Sequence, residues 1–119
     1  MKEIGEITQS VIDLLGLGIP ANTPIYIGEE NIAHIKSRHP YEFEAFFPHL
    51  SEILSDPDYV GYNSKNGSID YVKLFCISGN YVQVSVRVSG SGRYFARTLF
   101  SLMTYKAERF IAQGTLKKL

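Results

Sequence analysis

The feature that most constrains the fold is a run of alternating valines late in the chain. Four valines occupy every second position of Tyr81–Val88, and the positions between them hold Gln83, Ser85 and Arg87. A period of two predicts a β-strand with one packed face and one open face. Further strands are predicted on either side of it, over residues 68–75 and 93–100.

Turn-forming residues separate these three strands. Gly79 and Asn80 precede the valine strand, and Ser89-Gly-Ser-Gly92 follows it, which favours tight turns and an antiparallel meander. With the valines packed inward, the opposite face is expected to be open and basic. The side chains predicted on that open face are Tyr71, Lys73, Gln83, Ser85, Arg87, Arg93 and Arg97.

The first half of the chain is predicted to be mainly helical. Apolar residues at helical spacing predict an amphipathic helix over residues 4–17, followed by a linker and a short strand over 25–27. A second helix is predicted from residue 28 to 38 or 39, because Pro40 disfavours helical geometry in the residue before it. A broken helix over 41–54, a first sheet strand over 59–62 and a last helix over 105–113 complete the prediction.

This order predicts an α+β fold, with N-terminal helices packed on one face of a four-stranded antiparallel sheet and a C-terminal helix. The 119 residues are expected to form a single domain, 1–119, in which residues 1–24 are the N-terminal helix and linker. No stretch approaches the roughly 20 apolar residues of a membrane span, and the polar N-terminus is unlike a secretory signal. We therefore expect a soluble cytoplasmic protein.

Charge is distributed unevenly, although the chain is neutral overall. Residues 1–60 contain ten acidic and three basic side chains, a net charge of −7, whereas residues 61–119 contain two acidic and nine basic ones, a net charge of +7. One interpretation is a basic surface that binds phosphate groups. The other is that the two halves neutralise each other where they pack together, and both stay open on charge alone.

The second predicted helix carries two of the three histidines. His34 and Arg38 are four residues apart and share a face, whereas His39 follows the apolar side, about 140° from His34 at about 100° per residue. The histidines match no recognised metal-binding spacing, so neither a metal nor another cofactor is predicted. The alternative for His39 is a half-buried, hydrogen-bonded role without chemistry.

Histidines, cations and hydroxyls together suit one reaction class, the cleavage of RNA without a metal. Attack by the ribose 2′-OH needs a base, the leaving 5′-oxygen needs an acid, and the phosphorane needs positive charge nearby. The alternative is a solvated basic sheet face that does no chemistry. The candidates for the reaction are His34, Arg38 and His39 on the helix and Lys73, Arg87, Arg97, Thr98 and Ser101 on the sheet.

Several short motifs, taken in order, resemble the phage-associated branch of the barnase–EndoU–colicin–RelE-like nuclease superfamily. The resemblance runs from about Ile25 to the C-terminus. It depends on the His34…Arg38-His39-Pro40 helix end, Ile53–Val60, Ile69–Lys73, the valine strand ending in Arg87, and Arg97–Ser101.

The resemblance implies helices on one side of a four-stranded antiparallel sheet and metal-independent cleavage of RNA across the exposed face, often in toxins or phage-borne proteins. By position, it implies acid–base chemistry by His34 or His39, and a hydroxyl from Thr98 or Ser101. It also implies a phosphate clamp of Lys73, Arg87 and Arg97. Substrate-binding roles are predicted for Arg38, Tyr71, Gln83, Ser85 and Arg93.

The hypothesis is therefore a metal-independent endoribonuclease that acts on RNA, with tRNA among the candidate substrates and a protein inhibitor or antitoxin as a candidate partner. Two alternatives stay open. One is an RNA-binding module of the same fold without catalysis. The other is a protein-interaction domain that dimerises through the first helix, and both a monomer and a dimer are compatible with the sequence.

Overall fold

Helices are interleaved with strands along the chain in the computed structural model, which describes residues 1–76 and 78–119. The strands are β1 (Lys2–Ile7), β2 (Thr23–Ile27), β3 (Tyr59–Asn63), β4 (Ser68–Phe75), β5 (Asn80–Val88), β6 (Tyr94–Leu102) and β7 (Lys117–Lys118). The helices are α1 (Gln9–Leu15), α2 (Glu29–Arg38), α3 (Pro40–Phe46), α4 (Leu50–Ser55) and α5 (Thr104–Ala112), with a 3₁₀ turn at Phe47–His49. None of these described helices has the length and apolar character needed to cross a membrane.

The strands form one mixed sheet in the order β1-β2-β6-β5-β4-β3-β7. β2 runs parallel to β6, and the other neighbouring pairs are antiparallel. The predicted meander is present at the centre of this sheet, as β4, β5 and β6. The prediction of a four-stranded antiparallel sheet is wrong, because β1, β2 and β7 extend the sheet to seven strands and interleave with the helices.

The predicted N-terminal helix is wrong in its first part, because Lys2–Ile7 forms β1 against β2. Helix α1 starts only after Thr8, whose side-chain oxygen accepts a hydrogen bond from the backbone N–H of Val11 and so caps the helix. The spacing of Ile4 and Ile7 fits a helix, yet Lys2, Glu3 and Gly5–Ile7 pair with a strand some twenty residues away, which satisfies backbone groups of this segment. The strand at 25–27 and the end of α2 before Pro40 agree with the prediction.

One face of the sheet, which we call the valine face, carries the main core. Val82, Val84 and Val86 are fully buried there, together with Tyr71 of β4 and Leu99 of β6. Helices α1 to α4 contribute apolar side chains to the same core, such as Ile35 and Ile53. Apolar side chains from the helices of the acidic first half of the chain therefore pack on the valine face.

The opposite face, the open face, is covered at one end by α5. A second and smaller core forms there from Val72, Leu102, Ala107 and Leu116. Arg87, Thr98 and the other polar residues at the opposite end of this face lie outside that core and form the candidate site.

Candidate functional site

Strand register places a row of polar side chains across the open face. Gln83, Ser85 and Arg87 alternate with the buried valines on β5 and keep partial exposure, as predicted. Ser85 lies opposite Thr98 of β6 on one side and opposite Asp70 of β4 on the other. The three central strands therefore present Thr98, Ser85 and Asp70 side by side.

A bulge in β6 brings Arg97 to the same face. Ser85 pairs with Thr98 and Val86 pairs with Ala96, so Arg97 has no partner on β5. The extra residue interrupts the alternation of side chains, and Arg97 and Thr98 both line one cavity. The Nε atom of Arg97 is buried and has no hydrogen-bond partner among the described residues. Phosphate oxygens are strong acceptors for guanidinium N–H groups, so a phosphate bound here would supply the acceptor that the Nε–H group lacks.

This cavity, which we call the arginine cavity, has a volume of about 240 Å³. Helix α2 contacts β6 and contributes His34 to one wall of the cavity, whereas side chains of the sheet form its floor. The structure thus brings together four of the predicted catalytic residues and one predicted substrate-binding residue. The lining consists of His34, Asn66, Ser68, Ser85, Arg87, Arg97 and Thr98.

The two helix histidines occupy different places. His34 is exposed and lines the arginine cavity. His39 is half-buried at the junction of α2 and α3, where its ring lies 5.8 Å from that of Phe100, centroid to centroid. Arg38 is exposed at the end of α2. The structure therefore separates the two histidines that sequence reasoning left as alternatives.

A second cavity adjoins the first on the open face, between the β3–β4 turn and α5. Its volume is about 530 Å³, and we call it the aromatic cavity. Gln83 Nε2 donates a hydrogen bond to Ser85 Oγ at 3.2 Å, which joins the lining of the two cavities. The residues that line the aromatic cavity are Tyr62, Asn63, Ser64, Lys65, Asp70, Gln83, Phe100, Leu102, Lys106, Phe110, Thr115 and Leu116.

Asp70 is a carboxylate that sequence reasoning missed. It lies between the two cavities, where the hydroxyl of Ser68 donates to its Oδ1 at 3.0 Å. Burial raises the pKa of Asp70 above its ordinary value, and hydrogen bonds from Ser85 and Ser68 act in the opposite direction. The local sequence carries no signal for this position, because only the pairing of β4 with β5, which sets Asp70 opposite Ser85, puts Asp70 on the open face.

The prediction that Tyr71 and Lys73 lie on the open face is wrong. Tyr71 is opposite Val84 and Lys73 is opposite Val82, so both face the valine side. Tyr71 is fully buried in the core, and this burial raises the pKa of its hydroxyl. Lys73 Nζ donates to the backbone oxygen of Asp56 at 2.7 Å and pairs with its carboxylate at 3.2 Å.

Two further predicted residues lie outside both cavities. Ser101 is opposite Val82, so it lies on the valine side, and Thr98 is the candidate hydroxyl that remains. Arg93 is exposed in the turn before β6.

The charges explain which cations are free to bind an anion. Lys73 is neutralised by Asp56 and approaches Glu52 at 3.9 Å, as expected if the two halves of the chain compensate each other. Within residues 1–76 and 78–119, Arg87 and Arg97 take part in no salt bridge. The same described residues contain no group of three or more His, Cys, Asp or Glu side chains that could hold a metal ion.

No curated protein and no solved structure matches the chain. The sequence profile of a nuclease family does match, over residues 2–109, which include β1 to β6 and most of α5. The chain therefore belongs to the phage-Barnase-EndoU-ColicinE5/D-RelE like nuclease3 family.

Proposed function

We propose that the protein is an endoribonuclease that cleaves RNA by attack of the ribose 2′-OH on the adjacent phosphodiester, without a metal ion. Membership of a nuclease family supports phosphodiester chemistry on a nucleic acid. The observation that carries the proposal is the arginine cavity, which combines His34 with Arg87, Arg97 and Thr98. These side chains supply proton transfer, positive charge and a hydroxyl donor.

Each side chain has a defined role in this reaction. The guanidinium groups of Arg87 and Arg97 bind the non-bridging phosphate oxygens and stabilise the charge of the pentavalent phosphorane. The hydroxyl of Thr98 donates to one of those oxygens. The buried Nε of Arg97 gains its missing acceptor when the phosphate binds.

His34 performs one of the two proton transfers of the reaction. The 2′-OH loses its proton as the bond between the 2′-oxygen and phosphorus forms. The bond from phosphorus to the 5′-oxygen then breaks, and this oxygen gains a proton. The products are one strand with a 2′,3′-cyclic phosphate and one with a free 5′-OH.

The need for a 2′-OH gives a direct test. Purified protein is incubated in EDTA with labelled tRNA, and separately with an RNA oligonucleotide and a DNA oligonucleotide of the same sequence. We expect fragments with 2′,3′-cyclic phosphate ends from RNA and intact DNA. RNA that stays intact, or DNA cut at the same rate as RNA, would contradict the proposal.

One observation favours a second candidate function, RNA binding without cleavage. Among the described residues, His34 is the one histidine that lines the arginine cavity, because His39 packs on Phe100. The reaction needs two proton transfers. Binding of RNA that weakens steeply with salt, with no fragments formed under any condition, would identify this function.

A toxin-like role belongs to the same proposal. An enzyme that cleaves tRNA or ribosomal RNA stops protein synthesis in the cell that produces it. We expect expression of the protein to arrest growth of a bacterial host and expression of the Arg97→Ala variant to be tolerated. Equal growth of the two cultures would count against this role, and equal amounts of both proteins must be verified.

A further inference from the structure

The aromatic cavity has the chemistry of a nucleobase site. Phe100 and Phe110 line it with half-buried rings, and Tyr62 lines it with a side chain that is 47% exposed. Aromatic rings of this kind stack on unpaired bases, since every base has a flat π-face. The volume of about 530 Å³ is within the range of cavities that hold small organic groups.

Two exposed cations line the aromatic cavity. Lys65 in the β3–β4 turn and Lys106 on α5 are both exposed and line it from two sides. Neither forms a salt bridge within the described part of the chain. A phosphate next to a base in the cavity would therefore meet two free ammonium groups.

We propose that the aromatic cavity binds one unpaired nucleobase next to the phosphodiester held in the arginine cavity, and that Asp70 makes it prefer bases with an exocyclic amino group. This inference rests on the proposed function, because it assumes that the open face binds RNA. The Gln83–Ser85 hydrogen bond joins the two cavities, so adjacent groups of one strand can occupy both. The substrate is then single-stranded, since a paired base cannot enter.

The preference follows from what a carboxylate can accept. An ionised Asp70 has about four acceptor positions and no donor, and Ser68 and Ser85 occupy two of them. The amino group at C4 of cytosine can donate to a remaining position. Uracil carries a carbonyl oxygen at the same position, which repels the carboxylate. Because cytosine and uracil have nearly the same shape, they stack similarly, and a difference in their binding reports the hydrogen bond to Asp70.

Binding of uncleavable RNA tests the subsite. Short oligocytidine and oligouridine of equal length, both with 2′-O-methyl groups, are titrated by fluorescence anisotropy at slightly alkaline pH. We expect the natural protein to bind oligocytidine about tenfold more tightly, as for one hydrogen bond to a charged group. The Asp70→Asn variant, whose amide can donate to a carbonyl, should lose this preference. Equal binding of both oligomers by the natural protein, or a full preference in Asp70→Asn, would overturn the proposal.

The exposed lysines provide a second measurement that does not disturb the sheet. Lys65→Ala and Lys106→Ala should weaken binding of both oligomers to the same extent. Each should also reduce the slope of log affinity against log salt by about 0.7, the value for one phosphate contact with a single strand. An unchanged slope in both variants would show that neither lysine contacts a phosphate of the oligomer, and this would overturn the proposed position of the subsite.

The outcomes distinguish this inference from the proposed function. RNA cleavage by the natural protein with equal binding of the two oligomers would overturn the subsite and leave the nuclease proposal intact. Cytidine preference without any RNA cleavage would support the subsite and favour the RNA-binding function. A protein that neither binds the oligomers nor cleaves RNA would overturn both.

Discussion

Ser85 on β5 lies directly opposite Thr98 on β6, whereas the next pair along joins Val86 to Ala96. This one-residue shift gives Arg97 no partner and allows it to share a cavity with Thr98. A regular strand would direct two successive side chains to opposite faces. The bulge therefore places a cation and a hydroxyl from consecutive positions in one cavity.

The first prediction concerns this arginine. Replacing Arg97 by Ala removes a cation from the arginine cavity and should reduce the rate of RNA cleavage by roughly 10²–10³-fold, the usual effect of losing one transition-state donor. Arg97→Lys should recover part of that loss, because lysine keeps the charge but lacks the planar fork of donors. Arg93→Ala is the matched control, since Arg93 is exposed in a turn, and it should cleave normally. A rate within threefold of normal in Arg97→Ala would contradict this role.

The second prediction separates the two helix histidines. His34→Ala should reduce the cleavage rate by about 10²–10⁴-fold, because His34 is the histidine in the arginine cavity. It should also flatten one limb of the plot of rate against pH. His39→Ala should mainly weaken packing against Phe100 and keep both limbs. The opposite result, with the limb lost in His39→Ala alone, would move the acid–base role to His39.

A third prediction concerns Lys73, which sequence reasoning placed in the phosphate clamp. Its ammonium group binds Asp56 on the valine side of the sheet. Lys73→Ala should therefore leave the salt dependence of RNA binding unchanged and lower the free energy of unfolding by about 1 kcal/mol, as for a partly exposed ion pair. Chemical denaturation and RNA titration measure the two effects. A reduced slope of log affinity against log salt in Lys73→Ala would show that Lys73 contacts RNA phosphate groups after all.

A fourth prediction follows from the raised pKa of Asp70. The pKa of this carboxyl group is about 3.8 in the unfolded chain and higher in the folded protein. Its contribution to stability is therefore fully present below pH 3.8 and is lost as the pH rises through the pKa of the folded protein. Asp70→Asn should therefore have a higher Tm than the natural protein at neutral pH, and the difference should shrink on acidification. The difference in Tm should be small, because positive charges line the two cavities beside Asp70 and favour the ionised carboxylate. These charges belong to Arg87, Lys65 and Lys106. A Tm difference that does not depend on pH would contradict this.

A fifth prediction concerns how the C-terminal segment reaches the sheet. Gly61 of β3 lies opposite Asp70, and a Cβ atom there would overlap the backbone oxygen of Thr115. Gly61→Ala should therefore lower the free energy of unfolding by about 1–3 kcal/mol and loosen the wall of the aromatic cavity. Gly18→Ala, where a Cβ atom meets nothing within 4 Å, is the matched control. Equal stability of the two variants would show that the segment moves aside without cost.

Local pattern predicted the centre of the fold and part of the site. The alternating valines indicate which face of β5 is buried, so Arg87, Ser85 and Gln83 could be placed on the open face. Pro40 likewise marks the end of α2. The pattern failed for β4, because both of its faces are partly apolar and Tyr71 looks like an open-face residue until its pairing with Val84 is known. It failed again at β1, where the spacing of Ile4 and Ile7 fits a helix and an irregularity between Glu3 and Gly5 interrupts the alternation expected of a strand.

The sequence by itself determined the family, the central meander and the supply of cations and histidines. Only the tertiary structure decided that His34 and not His39 joins the two arginines, that Lys73 is neutralised from the acidic half, and that Asp70 lies between the two cavities. The physical reason is that side-chain alternation is a local property with a period of two. Strand register, bulges and the packing of α2 and α5 depend on contacts between residues far apart in the chain.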